Sequence, residues 1–168
     1  MANTYDQLAT TTVGVGGAAS IDFTSIPSTY TDLVLKISGR SSFHDGTTWS
    51  GLAITFNGNA VTGKRLYGVG SGTASSDSST PFGGAISGDT ATASTFGNQE
   101  IYIPNYAGSS YKSSSIDSAS ESNSTAALLM LNATLWSYTA AVNQITLTPA
   151  IGSFVEYSTA YLYGVKNA

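Results

Sequence analysis

Hydrophobic and polar residues alternate with a period of two along most of the chain. The clearest example runs from Asp32 to Arg40. Its apolar residues Leu33, Leu35 and Ile37 share one face, and polar residues occupy most of the other, as is typical of a half-buried β-strand. Similar alternation predicts strands over residues 19–23, 52–56, 64–69, 95–103, 113–118, 126–136, 144–148 and 156–165. Their spacing predicts an all-β fold, either an antiparallel sandwich or a barrel.

Turn and loop signals separate these segments. Asn57-Gly58-Asn59 has the composition of a turn that closes a β-hairpin. Two stretches rich in Gly, Ser and Thr, near residues 70–80 and 87–95, are predicted to be surface loops because no hydrophobic face would hold them. The length of 168 residues predicts one domain over residues 1–168.

The composition limits the classes of partner. The chain has 26 Ser and 22 Thr, only 10% charged residues, no cysteine and a net charge of −4. Its six cations are scattered, which argues against nucleic acid because nucleic-acid binding needs a basic patch. No apolar run approaches the roughly 20 residues of a membrane span, and the N-terminus has no export signal, so synthesis in a cytoplasm is expected.

The motifs that could carry chemistry are incomplete. The segment from Gly58 to Lys64 has the glycine and lysine spacing of a phosphate-binding loop, but Arg65 stands where the Mg²⁺ ligand would be. We interpret it as a turn that leads into a strand. His44 stands beside Asp45 and two serines, but sequence neighbours lack the geometry of a catalytic triad. One histidine and no cysteine also argue against a zinc site.

The acidic residues give no clearer signal. Asp77, Asp89, Asp117 and Glu121 lack the spacing of a calcium-binding loop, although a calcium ion held by carbonyls and one or two of these acids stays open. No pair of carboxylates can be assigned to a glycosidase reaction. We therefore predict no catalytic residue, no cofactor and no metal site, and we expect the protein not to be an enzyme.

Aromatic residues are the most informative candidates for a contact surface. The chain has ten Tyr, six Phe and two Trp. The aromatic residues on the apolar phase of predicted strands are expected in the core, and these are Phe23, Phe56, Trp136 and Tyr163. Others stand next to Gly, Ser or Asn and are predicted to form a contact surface for a partner protein or a sugar. These candidates are Trp49, Tyr67, Tyr106 and Tyr111.

Several phrases of the sequence resemble a module found in structural proteins of tailed bacteriophages. The similarity begins with Tyr-Asp-Gln-Leu-Ala at residues 5–9 and Ala-Ser-Ile-Asp-Phe-Thr-Ser-Ile-Pro-Ser-Thr-Tyr-Thr-Asp-Leu-Val-Leu at residues 19–35. It continues through Asn57-Gly58, Pro104-Asn105-Tyr106, Leu135-Trp136 and Leu162-Tyr163-Gly164. The resemblance implies a jelly-roll-like β-sandwich on the outer surface of a virion.

The resemblance leaves two placements open. Related modules are small virion proteins or parts of tail fibres, and the length of this chain favours a capsid decoration protein that stabilises the head. Such a protein would bind the major capsid protein or other virion proteins, and a homo-oligomer is expected, with a trimer favoured. The alternative is a tail-associated, receptor-binding module that contacts host surface glycans. A hydrolase that acts on surface polysaccharide ranks last, because no acid pair or triad can be named.

Overall fold

The structure is a computed structural model and describes residues 4–43, 46–70, 72–79, 82–123 and 126–166. Within these ranges the chain forms thirteen β-strands and no helix, so nothing there could cross a membrane as a helix. The strands are β1 (Tyr5–Thr12), β2 (Ile21–Phe23), β3 (Asp32–Gly39), β4 (Trp49–Phe56), β5 (Asn59–Ala60), β6 (Thr62–Val69), β7 (Ser75–Asp77), β8 (Ala85–Ser87), β9 (Gly97–Ile103), β10 (Lys112–Ser120), β11 (Leu128–Trp136), β12 (Ile145–Pro149) and β13 (Thr159–Val165). The predicted all-β class is confirmed.

The strands form two antiparallel sheets, as expected of a β-sandwich. The larger sheet has eight strands in the order β1-β13-β3-β9-β10-β11-β6-β7. The smaller has the order β2-β12-β4-β5, and β8 pairs with β4 beside it. The jelly-roll connectivity implied by the resemblance stays a prediction.

The core lies between the two sheets. Leu35 of β3 and Ile101 of β9 stand opposite each other in the larger sheet, and Ile54 of β4 and Leu147 of β12 do so in the smaller. All four belong to one buried cluster. Each such side chain contributes about 1.5–3 kcal/mol when it leaves water, so this layer is the main source of stability.

Two segments predicted as loops are more ordered than their composition indicates. Residues 75–77 form β7, which pairs with β6 at the edge of the larger sheet, and residue 87 is the last residue of β8. The stretch 88–95 is held by the guanidinium of Arg40, which donates to the carbonyl oxygens of residues 89, 91, 92 and 95 at 2.7–3.0 Å. The hydrogen bonds of Arg40 therefore hold a stretch whose sequence has no hydrophobic face to do so.

Lys112 organises a second set of backbone carbonyls. Its side chain is buried, and Nζ, which has three N–H donors, lies within hydrogen-bonding distance (2.6–3.3 Å) of the carbonyl oxygens of Gly108, Ser110, Thr139 and Ala140. Nζ also lies 5.7 Å from the centre of the Trp136 ring. Burial lowers the pKa of the Lys112 amino group. This cation ties the loop before β10 to the loop after β11.

The predicted hairpin turn is confirmed. Asn57 and Gly58 adopt φ values of 50° and 76°, and the turn joins β4 to β5. Positive φ at both central positions matches the twist of an antiparallel pair. Lys64 lies within β6, and its ammonium group donates to the hydroxyl of Ser78. The interpretation of this segment as a turn and a strand therefore holds.

Candidate interaction surface

The structure separates the four aromatic residues predicted to form a contact surface. Tyr106 is completely buried in the main core, so the prediction for this residue is wrong. Asn105, at a φ of 47°, turns the chain after β9, and the Tyr106 hydroxyl donates to the carbonyl oxygen of Pro27. Burial raises the pKa of the Tyr106 hydroxyl, which keeps it a neutral donor. Polar sequence neighbours did not indicate that this ring closes one end of the core.

The other three candidates differ among themselves. Trp49 and Tyr67 are half-buried and pack against a second, smaller hydrophobic cluster that contains Leu128 and Met130. Tyr111 is exposed just before β10. The four residues therefore do not form one surface.

A different surface is formed by four leucines on two neighbouring strands of the larger sheet. We call it the leucine face, and its members with their exposed fractions are Leu66 (49%) of β6 and Leu129 (68%), Leu131 (58%) and Leu135 (40%) of β11. Leu131 stands directly opposite Leu66 in the register. Because side chains alternate along a strand, Leu128 and Met130 point inward while Leu129 and Leu131 point outward.

The inner side of β11 and of the neighbouring strands β9 and β10 carries both polar and apolar side chains. Asn132 Nδ2 donates to the carbonyl oxygen of Phe82 at 3.0 Å, and Gln99 Nε2 donates to that of Ala85 at 2.6 Å. The Ala85 amide donates to the Ser118 hydroxyl at 3.3 Å. Residues 82–88 are buried against this side, and a buried backbone needs hydrogen-bond partners. Asn132, Gln99 and Ser118 therefore provide hydrogen-bond partners for this buried backbone. Leu129, Leu131 and Leu135 lie on the opposite, outer side of β11.

The residues around the leucine face include small side chains and carry little charge. A shallow groove of about 500 Å³ runs beside it and includes Gly68, Ala119 and Asp117 in its lining. Asp117 stands opposite Leu131, and its carboxylate accepts the backbone amide of Glu100 at 3.1 Å. Within the described ranges Asp117 forms no ion pair. The groove is thus apolar on one side and bordered by one carboxylate.

The far half of the same outer surface is rich in tyrosine. Tyr5 and Tyr163 meet edge to face, with ring centres 6.4 Å apart, and Lys36 forms an ion pair with Glu100 beside them. The Tyr102 hydroxyl donates to the carboxylate of Asp32 at 2.9 Å, which raises the pKa of Tyr102. We call the region of Tyr5, Tyr102, Tyr161 and Tyr163 the tyrosine half. It offers aromatic area and hydroxyl groups rather than an aliphatic surface.

The acidic residues considered from the sequence do not form a joint site in the described part of the chain. Asp77 is bound by Arg65 at 2.7 Å, and Glu121 accepts the backbone amide of Asn123 at 2.6 Å. The described ranges contain no group of three His, Asp or Glu side chains that could hold a metal ion. His44 and Asp45 lie outside the described residues.

Comparison with known proteins gives no further guidance. No protein-family model matches the chain, and neither a curated protein nor a solved structure matches it. The exposed surface of the molecule is therefore the remaining indication of its function.

The sequence contained one signal for the leucine face that the aromatic criterion missed. Residues 128–131 are four consecutive apolar residues within a strand. A strand that buries only one face needs an apolar residue at every second position. The excess of apolar residues therefore indicated that both faces of β11 are apolar.

Proposed function

We propose that the protein is a non-enzymatic structural protein of a bacteriophage virion, a capsid decoration protein that binds the outer surface of the head and stabilises it. The observation that carries this proposal is the leucine face. Several neighbouring leucines exposed on one side of a sheet mark a surface for protein contact, because burying apolar area is favourable by about 25 cal/mol per Å². Protein contact is what a decoration protein must provide.

The sequence resemblance supports the same proposal. It extends from Tyr5 to Gly164 and points to virion structural modules. The partners would be the major capsid protein or other virion proteins, and the protein would be made in the host cytoplasm. A protein that binds the assembled head and not the separated subunits stabilises the head by mass action.

Gold-labelled antibodies on intact virions test the placement directly. Dense label over the head is the expected result, and the capsid without this protein should then dissociate at lower temperature or in low salt. A preimmune serum on the same virions is the control. Label confined to the tail, or no label on the virion, would overturn the proposal.

The tyrosine half favours a second candidate function. Partly exposed tyrosines such as Tyr5 and Tyr163 provide flat rings and hydroxyls suited to sugars, as a tail-associated module that binds host glycans would need. This candidate predicts few copies per virion, label on the tail, and binding on a glycan array that Tyr163→Ala weakens. An array without any bound glycan would count against it.

A further inference from the structure

We propose that Asn57 is a modification site that the fold protects: its side-chain amide is lost as ammonia when the loop of residues 137–144 opens. The attacking group is the backbone nitrogen of Gly58. The inference goes beyond the proposed function, because it concerns a chemical change of the chain itself and does not depend on where the protein lies on a virion. Its basis is the glycine after Asn57 and the hydrogen bonds that hold the Asn57 amide.

The residue after Asn57 favours this reaction. Asn57-Gly58 is the only place in the sequence where glycine follows asparagine. Glycine has no Cβ, so its backbone turns freely and its nitrogen approaches a neighbouring side chain with little hindrance. In the described part of the chain, no atom outside residues 57–59 lies within 4 Å of the point that a Cβ on Gly58 would occupy. The rest of the molecule therefore does not shield this glycine by packing against it.

The reaction needs only water as a co-reactant. The Gly58 nitrogen forms a bond to Cγ of Asn57, and Nδ2 leaves as ammonia with the proton of that nitrogen. The product is a five-membered succinimide ring. Water then opens the ring at either of its carbonyl carbons, which gives aspartate or isoaspartate. A neutral side chain thus becomes a carboxylate without any oxidation or reduction.

Three hydrogen bonds restrain the amide group that must react. Oδ1 of Asn57 accepts the backbone amides of Asn143 at 2.9 Å and Gln144 at 3.0 Å. Nδ2 donates to the carbonyl oxygen of Ala141 at 2.8 Å. Attack makes Cγ tetrahedral, so Oδ1 and Nδ2 must move away from the positions that these bonds fix. The closed loop therefore opposes the reaction.

The same loop is held at further points. Nζ of Lys112 lies 3.3 Å from the carbonyl oxygen of Thr139 and 2.6 Å from that of Ala140, and Val142 is buried in the main core. A loop fixed at several points opens as a unit, and opening it releases the Asn57 amide at the same time. The chemical state of Asn57 therefore records whether this loop has opened.

The product changes how the loop can close again. A carboxylate has no hydrogen to donate, so an aspartate at position 57 would place an oxygen against the carbonyl oxygen of Ala141. The two backbone amides would keep an acceptor, but the third hydrogen bond would be replaced by repulsion between two oxygens. Because the ammonia has left, the change does not reverse. A sufficiently long opening therefore leaves a permanently weakened loop.

Mass spectrometry of tryptic peptides measures the reaction at each asparagine. The purified chain is kept at one mildly alkaline pH, either folded in buffer or unfolded in guanidinium chloride. We expect Asn57 to convert at least about tenfold faster in the unfolded chain, because the three restraining hydrogen bonds are then absent. Equal rates in the two states would overturn the inference. Faster conversion at another asparagine of the unfolded chain would also overturn it.

Variants of the folded chain test the role of the loop. Lys112→Met should raise the conversion rate of Asn57 at least about threefold, since the loop then opens more often. Lys64→Met is the matched control, because Lys64 is exposed on β6, and it should leave the rate unchanged. Folding is checked by circular dichroism, and Val142→Ala replaces Lys112→Met if the latter does not fold. An unchanged rate in the folded loop variant would overturn the link to loop opening.

A direct substitution tests the effect of the product. Asn57→Asp should lower the melting temperature, whereas Asn143→Asp should change it little, because Asn143 is exposed in the same loop and gains the same charge. Equal melting temperatures for the two variants would overturn the claim that the product weakens the loop. Because antibody labelling tests the virion role, the loss of one proposal is distinguishable from the loss of the other.

Discussion

Strands β3 and β11 belong to the same sheet but differ in the side chains that they expose. Strand β3 buries Leu33, Leu35 and Ile37 and exposes Lys36. Strand β11 buries polar residues such as Asn132 along with Leu128 and Met130, and it exposes leucines. The inward side chains also have different partners, since Leu35 of β3 packs in the main core whereas Asn132 of β11 donates to the backbone carbonyl oxygen of Phe82.

This difference teaches that a strand's covering layer decides which side chains point inward. An apolar layer selects apolar side chains, whereas a buried backbone selects hydrogen-bonding ones. The outward-facing leucines of β11, Leu129, Leu131 and Leu135, add little to the core and become available to a partner. In this molecule stability and association therefore depend on different leucines.

The largest expected effect separates the two kinds of leucine. Leu35→Ala should lower the free energy of unfolding by about 2–5 kcal/mol, because it leaves a cavity in the core. Leu131→Ala should change it by no more than about 0.5 kcal/mol, since this side chain is mostly exposed. Urea unfolding followed by tryptophan fluorescence, at a concentration where the chain is monomeric, measures both. Equal losses would contradict the assignment of β11 leucines to the surface.

Substitution of the buried Lys112 of β10 should have the next largest effect on stability. Lys112→Met removes the donor for four carbonyl oxygens, and we expect a loss of about 1–3 kcal/mol in the free energy of unfolding. Lys64→Met is the matched control, because Lys64 is exposed and should change stability little. If neither substitution lowers stability, the hydrogen bonds from Lys112 to these carbonyl oxygens do not stabilise the fold.

A smaller effect is expected from the hydroxyl pair on the inner side of β10 and β11. Ser114 and Thr134 are buried and hydrogen-bonded to each other. Ser114→Ala and Thr134→Val should each lower stability by about 1 kcal/mol, and the double variant should lose less than the sum, since neither hydroxyl is then left unpaired. A double-mutant cycle by urea unfolding measures this coupling. Strict additivity would mean that the pair does not contribute as a unit.

The smallest effect concerns the edge beside the leucine face. The hydrogen bond from Arg65 holds the pKa of Asp77 below its ordinary value of 3.8. A lowered pKa in the folded state stabilises the fold above pH 3.8, and this contribution disappears as the pH falls through the lowered value. The unchanged chain should therefore be more stable than Asp77→Asn at neutral pH, with the difference vanishing in acid. A difference that persists in acid would point to a cause other than ionisation.

The sequence predicted the strands whose alternation is strong. The predicted segments 32–40, 64–69 and 126–136 correspond to β3, β6 and β11. Strands β1 and β7 were missed because Thr-rich and Ser-rich stretches lack a clear apolar phase. Their pairing is decided by neighbouring strands, which local pattern does not reveal.

The candidate surface was harder to predict than the fold. Sequence context placed Tyr106 on the surface because Asn and Gly stand near it, yet the turn at Asn105 carries its ring into the core. Leu129, Leu131 and Leu135 are of a residue type typical of the core, and only the structure shows that they face outward. Which side chains are exposed therefore depends here on tertiary contacts that the local sequence does not reveal.

The two ends of the described chain lie side by side. The Lys166 amide donates to the carbonyl oxygen of Thr4 at 3.0 Å, and Tyr5 stands opposite Val165 in the register. A polypeptide that enters at one end would therefore leave at almost the same point, so the fold can be grafted into a loop of another protein without stretching it. Strand β1 lies at the edge of the sheet remote from β6 and β7. The protein that receives the graft would therefore be attached at that edge and would leave the leucine face accessible.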